Sequence, residues 1–112
     1  DKIAEALGVE VKGGRYYILI PRTDAAPTTH SQIFTTVTDN QREVTIKILE
    51  GEAQDAAKNK LLGEFDLTGI RPAPQGTPQI EVVFTIDGSH VLNVAARDRD
   101  TGKLKHIIIR EF

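Results

Sequence analysis

The sequence predicts an all-β fold, an antiparallel β-sandwich of about eight strands, and three observations carry that prediction. β-Branched and aromatic residues alternate with polar ones in short runs, as in Val44-Thr45-Ile46-Lys47-Ile48-Leu49 and again from Ile80 to Ile86. Turn chemistry punctuates the runs at Gly13-Gly14, Asp39-Asn40, Asp87-Gly88 and Asp100-Thr101-Gly102. No segment makes a convincing helix, so sheet must pack on sheet. The 112 residues suit one domain, spanning 1–112. A chain of that size buries roughly 65% of its unfolded surface, enough for one core.

Taken in order, residues 1–6 are polar with two alanines and fit a strand end or a helical turn equally. Leu7, Val9 and Val11 alternate with Gly8, Glu10 and Lys12, which predicts a short strand. Gly13-Gly14 supplies a turn, because glycine accepts positive φ without strain. Arg15–Ile20 is a second strand, and its apolar side chains on both faces predict a covered one. Pro21 ends it by removing a ladder donor. Residues 23–29 are a loop on composition.

Ile33–Thr38 and Val44–Leu49 flank Asp39-Asn40-Gln41 and predict a β-hairpin. Val44, Ile46 and Ile48 share one face, as do Phe34 and Thr36 on the other arm; Thr45 and Lys47 point toward solvent or a rim. Glu52–Lys60 has helix-forming residues but no apolar stripe, and short isolated helices are marginal in water. Leu61–Leu67 is a strand, and Arg71–Pro78, with three prolines and a glycine, an irregular crossing loop. Ile80–Ile86, then Leu92, Val94 and Ala96, then Leu104–Arg110 are the closing strands.

The residue inventory excludes several functions. The chain has no cysteine, hence no disulfide framework and no thiolate metal site; this fits a reducing compartment, and the cytoplasm is expected. A formal net charge of −2 gives no electrostatic reason to expect nucleic acid. No apolar run approaches the length of a membrane span, and no basic-then-apolar leader is visible. His30, His90 and His106 lack metal-pair spacing, so no metal site is expected. His30-Ser31 is no nucleophile–base arrangement, and no Gly-x-Ser-x-Gly elbow occurs. Gly13-Gly14 lacks the helix and lysine of a phosphate loop. Arg97, Arg99, Lys103, Lys105 and Arg110 are interleaved with Asp98 and Asp100, a mixed charged face. No catalytic site is expected. A sheet-rich domain of this kind binds through its edges, where unpaired N–H and C=O groups can take up an extended peptide.

His30-Ser31-Gln32-Ile33-Phe34-Thr35-Thr36-Val37-Thr38-Asp39-Asn40-Gln41, followed by Val44–Glu52, resembles the peptide-binding β-domain of the DnaK-type chaperones, the seventy-kilodalton heat-shock family. The resemblance extends to Gly8–Gly14, Asn59–Val82 and Arg97–Lys103, and so covers nearly the whole chain. It implies a channel that grips short extended apolar segments of unfolded polypeptides. Val9, Phe34, Val44, Ile46 and Ile80 would form its central pocket. Val11, Thr35, Val37 and Gln41 would frame it and offer hydrogen bonds to the client. Lys12 and Val37 would meet over the bound chain, with Lys12 polar where the family is usually apolar.

The resemblance further places Asp1 and Arg22 at contacts to a nucleotide-binding domain, near the loop of Pro27, and Asp39 and Gln75 at a latch for a helical lid. Gln75 stands where many members carry arginine, which implies a weaker latch. Neither of those domains lies within these residues, so ATP, Mg and the hydrolysis they support would belong to the longer chain, and this domain needs no cofactor. J-domain cochaperones are the implied partners, and Glu52–Lys60 becomes a loop. An open channel also implies self-association. The competing expectation is a generic interaction or adhesion sandwich that recognises a folded partner.

Overall fold

A computed structural model describes residues 2–112. Alternation becomes pairing in eight strands: β1 (Leu7–Val11), β2 (Arg15–Ile20), β3 (Thr28–Phe34), β4 (Val44–Glu50), β5 (Lys60–Leu67), β6 (Ile80–Ile86), β7 (Leu92–Asp98) and β8 (Leu104–Ile109). They form two four-stranded antiparallel sheets, ordered β2-β1-β4-β5 and β3-β6-β7-β8. The sheets face each other as a sandwich, with β2 above β3 and β5 above β8. Tyr17 meets Phe34 edge-on across the first pair, and a side chain at Gly63 would press on Ile107 across the second.

The core is the set of inward rows. Ile80, Val82, Phe84 and Ile86 of β6 are buried in strict alternation. Leu92, Val94 and Ala96 of β7 lie beside them, facing Leu7, Val9, Ile46, Ile48, Phe65 and Leu67 of the other sheet. The turns fall where glycine and Asx residues allow them. Gly13 and Gly14 both hold positive φ, 82° and 70°, to link β1 to β2. A Cβ at Gly8 would collide with the carbonyl oxygen of Tyr17, so only glycine permits the β1–β2 approach where the register shifts between Leu7 and Gly8.

Five expectations need correction. Phe34 and Val44 do not belong to one hairpin: β3 pairs with β6 from Thr28↔Ile86 to Phe34↔Ile80, while β4 lies in the opposite sheet between β1 and β5. Turn chemistry is present, with Asn40 at φ 57°, but the segment is a crossover between sheets. The second strand is not covered. As an edge of its sheet β2 leaves Tyr17 39% and Ile18 41% exposed and buries only Leu19 and Ile20.

Asp98 is not on a charged face. It continues the inward row of β7, is 1% exposed, and accepts a hydrogen bond from the Asp100 N–H at 2.9 Å. Glu52–Lys60 contains a 3-10 turn at Ala56–Lys58, capped by the Asp55 side chain on Ala57 N–H and braced by Asn59 against Ala53. Strand β3 also begins at Thr28, inside the expected loop.

Tyr16 ties β2 to the root of the first sheet. Its hydroxyl donates to the carbonyls of Ala6 at 3.0 Å and Leu49 at 3.4 Å. Burial first, then the carboxylates of Glu52 and Glu50, push its pKa well above the usual phenol value.

Candidate functional site

The site arises where a ladder stops early. β1 and β4 pair only at Leu7↔Glu50, Gly8↔Leu49 and Val9↔Ile48. Yet β1 stays paired with β2 as far as Val11↔Arg15, and β4 stays paired with β5 as far as Val44↔Leu67. Beyond Val9 each strand therefore follows its outer neighbour and the two part. A cavity of about 550 Å³ occupies the gap. Val9, Ile46 and Ile80 form its buried apolar floor, with the half-buried Val11, Phe34 and Val44 around them.

Val37, 42% exposed, stands at the rim with Lys12 and Gln41. Of the residues expected at a peptide channel, only Thr35 does not line this cavity; its hydroxyl is committed to the Pro78 carbonyl at 2.6 Å. Gln41 lines it but spends its amide on its own loop. Oε1 accepts from the N–H groups of Val37 at 2.9 Å and Thr38 at 3.3 Å, and Nε2 donates to the Glu43 carbonyl at 2.7 Å. Its contribution is to hold Val37 at the rim.

The rim is stitched to a second loop. Asn40 N–H donates to the Ala73 carbonyl at 2.8 Å, and Gly76 N–H to Thr36 Oγ1 at 3.3 Å. Asp39 Oδ1 accepts from the Gln75 backbone N–H at 2.9 Å, so the two residues expected at a lid latch meet each other, although through the Gln75 main chain. Arg22 is exposed and takes no part in the cavity. In the segment that follows it, His30 Nε2 contacts Asp24 Oδ2 at 2.5 Å. Asp1 lies outside the described residues.

Thr45 and Lys47, expected toward solvent or a rim, do border the cavity, and with them stand two carboxylates that sequence reasoning missed, Glu10 and Glu64. Alternation does put them on the outward face, one residue from Val9, Ile46 and Phe65, and that was the available signal. The cavity reaches them because the parted strands expose both their faces. No group of three or more His, Cys, Asp or Glu side chains among the described residues is placed to hold a metal ion. No described helix is long and apolar enough to cross a membrane.

Comparison with known proteins gives this architecture a family. The family model described as "Hsp70 protein" matches residues 1–112. A mitochondrial 70 kDa heat-shock protein of Pisum sativum is 53% identical over 105 residues, which are 94% of this chain and 16% of that protein. The chaperone protein DnaK of Halobacterium salinarum, in two strains, is 52% identical over 104 residues, 93% of this chain and 16% of each relative. The chain thus spans about 16% of the length of these curated relatives. With an eight-stranded sandwich and a match along its whole length, the chain belongs to the Hsp70 family of DnaK-type chaperones.

Proposed function

We propose that the chain is a substrate-binding domain of a molecular chaperone, which captures short extended apolar segments of unfolded polypeptides and does no chemistry of its own. The observation that carries this reading is the parting of β1 from β4 over an apolar floor. Two strands that separate while still paired on their outer sides leave main-chain groups facing the gap. An extended segment can pair with such groups whatever its sequence. The floor of Val9, Ile46 and Ile80 adds preference. A leucine or isoleucine side chain seated there contributes about 1.5–3 kcal/mol.

In the longer protein, a nucleotide-binding domain using ATP and Mg, a helical lid and J-domain cochaperones would act on this domain. Arg22 would serve the first contact, and Asp39 and Gln75 the lid. The cytoplasm is the proposed compartment. At high concentration a neighbouring molecule's apolar segment would compete for the same gap, giving reversible self-association. A panel of labelled peptides tests the reading by fluorescence anisotropy. Extended leucine-rich peptides should bind at micromolar strength, and charged peptides of equal length should not. Indifference to all extended peptides would end it.

A further inference from the structure

The charges around the cavity are not equivalent. Lys47 lies between two carboxylates: Glu10 Oε1 is 4.0 Å from its ammonium, and Glu64 is its register partner across β4 and β5. On the neighbouring strand position Asp66 accepts from the Thr45 hydroxyl at 2.7 Å. Lys12 is different. It follows the last residue of β1, is exposed, lines the cavity, and makes no ion pair or side-chain hydrogen bond among the described residues. Val11, Gly13 and Gly14 beside it also line the cavity and bring no carboxylate, and Glu10, two residues back on β1, is the one paired with Lys47. One mouth therefore carries a free ammonium beside an apolar floor.

We infer that Lys12 sets a flanking preference: segments with Asp or Glu beside the apolar anchor bind more tightly than neutral ones. This rests on the peptide-binding reading above. An ammonium resists desolvation, so it stays in water at the mouth and lays its methylene stem along the bound segment. A carboxylate placed there gains an exposed ion pair, which in double-mutant cycles corresponds to about 1.5- to 5-fold in affinity.

The test uses fluorescein-labelled peptides that share one leucine core and carry Asp, Asn or Lys at either flank. At about 10 mM ionic strength, where charges act over roughly 30 Å, the Asp-flanked peptide should bind about two- to fivefold more tightly than the Asn-flanked one. The difference should vanish near 1 M salt, where the screening length is about 3 Å. Lys12→Gln should abolish the Asp-over-Asn ratio and Lys12→Arg should keep it, the ratio being taken within each variant so that any change in the apolar contact of the side chain cancels. Equal binding of Asp and Asn peptides at low salt overturns the inference, as does a preference that survives Lys12→Gln. So does its loss in Arg15→Gln, a cation on the same turn outside the cavity lining. If the Asn-flanked peptide fails to bind at all, the peptide-binding reading falls with it. If it binds and only the Asp advantage is missing, that reading stands and the role of Lys12 does not.

Discussion

The β6–β7 pair and the β1–β4 pair do opposite things with the same kind of sequence. β6 and β7 match residue for residue from Ile80↔Asp98 to Ile86↔Leu92, without a slip, over a fully buried row. β1 and β4 also carry alternating valine, leucine and isoleucine, yet they hold three pairs and then separate. The difference teaches that one sheet supplies cohesion while the other gives up part of its pairing to create a site. Stability and binding should therefore respond to different substitutions.

The largest effect should come from the closed pair. Phe84 is fully buried at the centre of β6, and Phe84→Ala should cost about 3–5 kcal/mol, read as a fall in the denaturation midpoint. The fraction still folded should bind a leucine-rich peptide normally. A comparable loss of affinity per folded molecule would break the separation.

Val44→Phe should do the reverse. Val44 lines the cavity and is only half-buried, so a larger ring has room to enter it. Affinity for the peptide should fall about 10- to 100-fold as the anchor's seat is filled, with the thermal midpoint near that of the parent chain. Native affinity in this variant would sink the placement of the anchor.

The smallest effect sharpens the comparison at the closed end of β1. The Tyr16 hydroxyl bridges Ala6 and Leu49, beside the three β1–β4 pairs. Tyr16→Phe should cost about 1 kcal/mol. It should also change the alkaline limb. The folded phenol titrates above the unfolded value of about 10, so its stabilising contribution is complete below pH 10 and is lost as pH rises beyond it. Thermal melts from pH 8 to 11 should show a shallower decline for the phenylalanine variant. Parallel declines would mean that Tyr16 is not the group responsible.

Much of this was legible in the sequence, for a physical reason that also explains the rest. Alternation fixes which side chains face inward, so strand positions, the turns at Gly13-Gly14 and Asp87-Gly88, and the gathering of Val9, Val44, Ile46 and Ile80 could be read directly or by resemblance. Alternation does not say which strand lies alongside. Ile33–Thr38 and Val44–Leu49 therefore looked like one hairpin, although Ile33 and Phe34 end β3 and Val44–Leu49 lie in β4 of the opposite sheet. β2 looked covered because both its faces are apolar, but as an edge strand it leaves Tyr17 and Ile18 exposed on either face. Asp98 looked like a surface charge because a carboxylate on an inward row breaks the usual pattern. The commitment of Gln41 to its own loop depends on three local bonds that no spacing announces.

The bonds joining residues 35–43 to residues 73–78 have a mechanical consequence. Phe34 and Val44 stand at the two roots of the first loop, and Ile80 just beyond the second. Thr35, Thr36, Asp39 and Asn40 each hold a different point of the second loop. The wall on that side is thus braced like a truss. It cannot lift as a hinged flap from a single pivot, and whatever widens the gap on that side must move both loops together or shear all four ties.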